Sequence, residues 1–181
     1  NGHPEVVIRV EGTAPLERVD LLRGTAVRKS WRLAAPARDL TRILWGGTEK
    51  RGTAGAQRVI WDGRLQVHGG RIGDLRSIGF QSATDRVWQT DSGALQWSSA
   101  TAGNDMGVVC RLEGGSETRG AFTAPPCAFE FSLAQVLAKT LSVDAGGAGR
   151  FVEVGAAPAE DGPLGANLRF RDEEPADGET P

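Results

Sequence analysis

Apolar and polar residues alternate along much of the chain with the two-residue period of half-buried β-strands. Glycine-rich turns separate these short runs, a spacing typical of a β-sandwich or barrel. Only 133–139 has helical spacing, with Ser132 placed as its N-cap. The pattern therefore predicts a mainly β chain, an antiparallel β-sandwich with one short helix at about 133–139. The predicted strands are 6–10, 16–23, 27–33, 42–45, 86–90, 94–99, 106–112, 127–132, 150–154 and 167–170.

A central hairpin is predicted over 57–68, where two strand-like runs flank Asp62-Gly63. A two-residue type I′ turn needs positive φ at both central positions, and Asp-Gly adopts it at low cost. Pairing across this turn places Trp61 opposite Arg64, so that the guanidinium lies on the indole ring. The core face of the hairpin is then formed by Ile60, Leu65 and Val67.

Glycine pairs are interpreted as strand ends. Gly69-Gly70 ends the predicted hairpin, and Gly114-Gly115 closes the strand at 106–112. Inside that strand, residues at every second position are apolar and share one face. They are Met106, Val108, Cys110 and Leu112.

The length of 181 residues suits one domain. We predict a single β-sandwich domain over 1–171 and an acidic, proline-containing tail over 172–181. The chain begins at Asn1 without a methionine or a signal-peptide pattern, and we interpret it as a fragment of something larger. The compartment is left open.

The charge balance argues against a nucleic-acid partner. The formal net charge is -2 and the pI is near 5.8, whereas nucleic-acid binding usually needs a basic stripe. No apolar run is long enough to span a membrane. Cys110 and Cys127 neither demand nor exclude one disulfide.

Catalytic motifs are not found in the sequence. It contains no Gly-x-Ser-x-Gly elbow, phosphate-binding loop or His-Glu-x-x-His. His3 and His68 lie far apart, and zinc sites usually need three or four clustered ligands. We therefore predict no catalytic residue, no metal site and no cofactor.

The five tryptophans are the sharpest functional candidates. Exposed rings on one face of a sandwich would bind sugars by stacking. The competing interpretation, which we favour, is that they fill the core, since each has apolar neighbours and brings a large burial. The loop at 101–105 offers side-chain oxygens without the ligand spacing of a calcium loop. The candidate ligand-binding residues are Trp61, Arg64, Trp97, Asn104 and Asp105.

Four segments resemble a known family: 12–22, Trp45-Gly-Gly, Arg58 to Gly63, and Ala102 to Asn104. They look like the C-terminal region of a bacterial family of unknown function, whose N-terminal part resembles PHP-type metal-dependent phosphoesterases. The resemblance covers most of residues 5 to 170. It implies a β-sandwich accessory domain and carries over no functional residue. Any phosphoesterase activity would then lie outside this chain.

The resulting hypothesis is a non-catalytic accessory domain of a larger bacterial protein. Such a domain would pack on, or orient, a metal-dependent hydrolase-like domain of the same parent chain. A second copy of the chain is a further candidate partner. The alternative is a carbohydrate-binding module that uses surface tryptophans, with a glycan as its partner.

Overall fold

The computed structural model describes residues 8–10, 18–24, 26–32, 36–50, 56–158 and 167–172. The chain is mainly β with antiparallel sheets and one short helix, which confirms the predicted sandwich-like fold class. Its elements are β1 (Arg18–Arg23), β2 (Ala26–Arg32), β3 (Pro36–Lys50), β4 (Ala56–Gln57), β5 (Val59–Ile60), β6 (Gly63–Ile78), β7 (Arg86–Asp91), β8 (Ala94–Ser98), β9 (Ala100–Thr101), β10 (Asp105–Ala124), β11 (Cys127–Ser132), α1 (Leu133–Ala138), β12 (Leu141–Asp144), β13 (Ala148–Pro158) and β14 (Asn167–Asp172).

The described strands fall into two compact units. The smaller unit holds a three-stranded sheet in the order β14-β1-β2. β1 and β2 are antiparallel, and Gly24 turns the chain between them with a φ of 60°. β14 pairs parallel to β1. Asp20 is buried on β1, where it accepts a hydrogen bond from Ser30 and pairs with Arg18 at 3.0 Å.

The larger unit, 36–157, is built on a nine-stranded sheet. Its main path is β12-β13-β3-β10-β6-β8-β7. Two further strands pair off this path, β11 with β10 and β4 with β3. The two longest strands, β6 and β10, run antiparallel to each other at its centre. They carry most of the pairing that holds this unit together.

The central strands bend, so that one sheet forms two facing layers. Trp45 stands opposite Met106 on β10, and Phe122 lies sixteen residues further along the same strand. A straight strand would separate these positions by roughly 50 Å. The ring centroids of Trp45 and Phe122 are only 6.1 Å apart. The two halves of β10 therefore face each other across one hydrophobic core.

The two glycine pairs that are predicted to end strands lie between the two halves of β6 and β10, and that prediction is wrong. β6 continues through Gly69-Gly70, and β10 continues through Gly114-Gly115. The register shifts between Gly114 and Arg119, so that 115–118 of β10 stand opposite Gly69 alone. Gly69 has a φ of 72°, which favours glycine, and its carbonyl accepts a hydrogen bond from the Thr118 hydroxyl at 2.9 Å. Bulges of this kind bend and twist a sheet.

The predicted hairpin at Asp62-Gly63 is also wrong. β5 pairs with β9, and β6 pairs with β8 and β10, so the two flanks of the turn do not pair with each other. Leu65 and Val67 are buried as predicted. Ile60 is 51% exposed, whereas Val59 and Trp61 on either side of it face the core.

Several other predicted strands are confirmed. β7 and β8 form a hairpin, and its turn is closed by the Asp91 carboxylate, which accepts the Gly93 N–H at 2.7 Å. The buried face of 106–112 is correct, as are the strands at 127–132, 150–154 and 167–170. The helix is confirmed at Leu133–Ala138, and Ser132 holds the N-cap position without a side-chain cap bond.

Some predictions concern residues outside the described ranges. Residues 8–10 of the predicted strand at 6–10 are not in a strand, and the rest of that segment is not described. Leu33 and the predicted tail beyond Asp172 also lie outside the described residues. The single domain over 1–171 stays a prediction.

Candidate functional site

Three of the five tryptophans form a buried cluster inside the larger unit. Trp45 and Trp61 are 0% exposed and Trp97 is 2% exposed. The rings of Trp45 and Trp97 stack with centroids 4.7 Å apart, and Phe122 lies 5.3 Å from Trp97. We call these four residues, Trp45, Trp61, Trp97 and Phe122, the tryptophan cluster.

Each indole N–H of the tryptophan cluster donates to an internal acceptor. Trp45 Nε1 donates to the Ser99 hydroxyl at 3.1 Å, and Trp61 Nε1 donates to the Thr101 hydroxyl at 2.9 Å. Trp97 Nε1 donates to the carbonyl oxygen of Trp61. Buried tryptophan N–H groups need such partners, and here the strands beside the rings supply them.

The polar partners are fixed in turn by the backbone. The Thr101 hydroxyl donates to the Gly47 carbonyl at 2.8 Å. The Asp62 carboxylate accepts the backbone N–H of Ser99 at 2.9 Å, and the N–H of Trp61 donates to the Ser99 carbonyl at 2.8 Å. Asp62 therefore joins β5 to the end of β8 instead of closing a hairpin turn.

The predicted surface platform is not formed by Trp61 and Trp97, because both rings lie in the core. Arg64 does not lie on the Trp61 ring; it is exposed on β6, opposite Gln96 of β8. The other two tryptophans, Trp31 and Trp88, are half-buried. A cationic side chain lies over each ring at 4.9 Å, Lys29 over Trp31 and Arg86 over Trp88.

Of the two predicted oxygen donors at 104–105, Asn104 bonds to the local backbone. Asn104 Oδ1 accepts the N–H of Ala102, two residues earlier in the chain, at 2.9 Å. Asp105 is half-buried at the start of β10, opposite Gly46. Asp105 pairs with Gly46, the residue after Trp45, and Arg64 pairs with Gln96, the residue before Trp97. Both residues therefore stand next to members of the tryptophan cluster along the strands.

The described residues contain no group of three or more metal-ligating side chains. His68 is exposed on β6, opposite Arg119, and His3 lies outside the described ranges. Both cysteines are free, so no disulfide joins them. Burial raises the pKa of the Cys110 thiol to about 12, and burial also raises the pKa of Cys127 against an opposing effect of Arg150. Cys110 is thus held in its protonated, weakly reactive form.

A groove runs beside helix α1 and consists of two adjoining cavities that share Glu130, Phe131 and Gln135. The first has a volume of about 340 Å³ and is mainly polar. The second has a volume of about 750 Å³ and a mainly apolar lining. We call this feature the α1 groove. The first cavity is further lined by Ser116, Glu117, Arg119 and Ser132. The second is further lined by Val136, Ala138, Lys139, Thr140, Leu141 and Ser142.

The polar cavity is formed where β10 bulges. The bulge at 115–118 brings Glu117 to the groove, and Arg119 follows at the point where pairing resumes. The end of β11 contributes Glu130. None of these three charged residues forms an ion pair with another residue that the structure describes. The lining therefore has two carboxylates and one guanidinium, an excess of one negative charge.

Sequence reasoning missed the α1 groove. Its walls come from the bulge of β10, the end of β11, helix α1 and the start of β12. The Gly114-Gly115 pair is the available signal for the bulge, but its composition predicts a strand end.

Comparison with family models, with curated proteins and with solved structures finds no match for this chain. In the described part, no helix is long and apolar enough to cross a membrane.

Proposed function

We propose that this chain is a non-catalytic accessory domain of a larger bacterial protein, where it packs on or orients a metal-dependent hydrolase-like domain. The observation that supports the proposal most is the internal use of its distinctive residues. The indole groups of Trp45, Trp61 and Trp97 bond to Ser99, Thr101 and the backbone. These side chains stabilise the fold.

The hydrolase-like partner is taken from the sequence resemblance at Trp45-Gly-Gly and Arg58 to Gly63. Both segments lie beside the tryptophan cluster. The Gly47 carbonyl accepts a hydrogen bond from the Thr101 hydroxyl, and the Asp62 carboxylate accepts one from the Ser99 N–H. Residues that build a core in this way are signatures of a fold and not of a reaction. They support an accessory domain and leave the chemistry to the partner.

The glycan-binding alternative needs exposed tryptophan rings. Trp61 and Trp97 offer no ring face to a sugar because their side chains lie in the core. The rings of Trp31 and Trp88 are half-buried, and each has a cationic side chain, Lys29 or Arg86, over one face. The accessory role is therefore the function we propose.

The test has two arms. In the first, the isolated 181-residue chain is assayed with para-nitrophenyl phosphate and bis-para-nitrophenyl phosphate in the presence of Mn²⁺ or Zn²⁺. We expect no turnover above the metal-only blank. In the second, the parent protein is compared with and without this region, and we expect its hydrolase activity or its thermal stability to fall when the region is removed. Turnover by the isolated chain would overturn the proposal.

A further inference from the structure

The edge of β12 borders the apolar cavity of the α1 groove. In the described part of the chain β12 pairs with β13 alone, and it ends the path of the nine-stranded sheet. Leu141 and Ser142 from this strand line the cavity, and helix α1 forms another wall through Val136. The groove thus has a strand edge on one side and a helix on the other.

The hydrogen-bond pattern shows which backbone groups of β12 point away from β13. The N–H of Ala145 donates to the carbonyl of Arg150 at 3.1 Å, and these residues continue the register of the two strands. In an antiparallel ladder, hydrogen-bonded and non-hydrogen-bonded pairs alternate. Val143 and Leu141 therefore bond to β13, whereas the N–H and C=O groups of Ser142 and Asp144 point outward.

Side chains along β12 alternate in the matching way. Leu141 and Val143 are half-buried and pack against the core, whereas Ser142 and Asp144 are exposed. A strand added beside β12 would share this alternation, because opposite residues of paired strands point to the same face. An apolar side chain opposite Leu141 would enter the cavity between Phe131 and Val136.

We propose that the α1 groove binds an extended peptide segment by strand addition to β12. In this arrangement the outward groups of Ser142 and Asp144 supply main-chain hydrogen bonds, and the apolar cavity accepts one side chain of the segment. Recognition of this kind takes its affinity from the main chain and its specificity from side-chain pockets. The inference rests on the proposed accessory function, since it names the surface that holds a segment of the partner.

The charges of the groove define the segment further. Glu117 and Glu130 line the polar cavity against Arg119 alone, so this end of the groove favours a basic side chain. Lys139 lines the apolar cavity, so the end of the α1 groove at that cavity disfavours a second basic residue. The occupant is thus an extended segment that carries an apolar side chain for the cavity near Leu141 and a basic side chain for Glu117 and Glu130.

The probe is a fluorescein-labelled peptide of alternating valine and threonine with a single arginine at one end. It is about six residues long, enough to span β12 and reach the adjoining cavity. Binding to the 181-residue chain is followed by fluorescence polarisation. We expect saturable binding that weakens with added salt, and binding that is weaker by about tenfold when glutamate replaces the arginine.

The decisive variant is Ser142→Pro. Proline lacks an N–H, and at an edge-strand position whose N–H points outward it leaves the ladder to β13 intact. We expect Ser142→Pro to keep its thermal unfolding profile and to lose peptide binding by about tenfold or more. Ser142→Ala is the matched control, because it keeps the backbone N–H and should bind like the parent chain.

The outcomes separate cleanly. Equal peptide binding by Ser142→Pro and Ser142→Ala, or no binding of the probe, overturns the inference. A dimer that sedimentation detects and that Ser142→Pro abolishes, without peptide binding, also overturns it and makes a second copy the occupant. Failure of peptide binding with an inactive isolated chain refutes only this inference, whereas phosphoester turnover by the isolated chain refutes only the proposed function.

Discussion

The tryptophan cluster and the α1 groove belong to the same unit, yet they treat polar groups in opposite ways. Around Trp61 every indole N–H has an internal acceptor, and the acceptors are themselves held by the backbone. In the groove, Glu117 and Glu130 have no ion-pair partner among the described residues. This difference separates two roles within one unit. Polar groups with internal partners stabilise the fold, whereas charged groups at a cavity that pair with no described residue are available to bind another molecule.

The largest effect is expected from Trp97→Ala. The ring is 2% exposed and stacks on Trp45, so its removal leaves a cavity in the core. We expect the free energy of unfolding to fall by about 3–5 kcal/mol, measured by guanidinium denaturation. The matched control is Trp88→Ala, where the half-buried ring lies at the sheet edge, and its loss should be clearly smaller. Equal losses for the two variants would contradict the cluster as the centre of the core.

A smaller loss is expected from Asp62→Ala. Its carboxylate accepts the N–H of Ser99, which is 3% exposed and lies beside Trp45. The variant leaves this buried donor without a partner, which costs about 1–3 kcal/mol. Asn104→Ala is the control, since Asn104 caps an exposed N–H that water can satisfy. Thermal unfolding of both variants would test this, and a larger destabilisation by Asn104→Ala would refute it.

The smallest effect on stability is expected from Glu130→Gln. The side chain is exposed in the α1 groove and forms no ion pair with a described residue. We expect its free energy of unfolding to stay within about 0.5 kcal/mol of the parent value. The same variant should weaken binding of the arginine-containing peptide and leave binding of its glutamate counterpart unchanged or stronger. A stability loss as large as that of Asp62→Ala would show that Glu130 belongs to the fold.

Local patterns were sufficient to predict the elements whose partners lie nearby in the chain. The strands of the β7 and β8 hairpin are predicted at 86–90 and 94–99, and the Asp91 side chain closes the turn between them by accepting the Gly93 N–H. The alternation of apolar residues in β11 and the helical spacing in α1 also predict these elements correctly, because each element buries one face. In each case the residues that decide the structure are neighbours in sequence.

The errors arose where a distant strand competed with a local turn. Asp62-Gly63 has the composition of a tight hairpin, but its flanks pair with β9 and with β8. Gly63 lies against the Thr123 carbonyl and the Trp97 ring, where a β-carbon would overlap. This glycine is thus required for a close approach between strands, a reason that the sequence cannot distinguish from a turn.

The candidate site could not be predicted for a related reason. Its charged residues, Glu117, Arg119 and Glu130, were ordinary polar positions until the bulge of β10 brought them to one cavity. Of the five residues proposed from the sequence, Trp61 and Trp97 lie in the core, and Asn104 accepts a local backbone N–H. A pattern reports the burial of a side chain more readily than the neighbours it will meet.

The pairing of β6 with β10 has a consequence for how the chain folds. Paired residues of the two strands are separated in sequence by roughly 30 positions for Ile78 and Gly107 and by roughly 60 positions for Arg64 and Thr123. Closing these loops carries an entropy cost before any pair forms. Such a high contact order places folding in the slow, millisecond-to-second range of small β proteins. Stopped-flow refolding should therefore show a slow main phase, during which the edges of β6 and β10 are exposed to other chains.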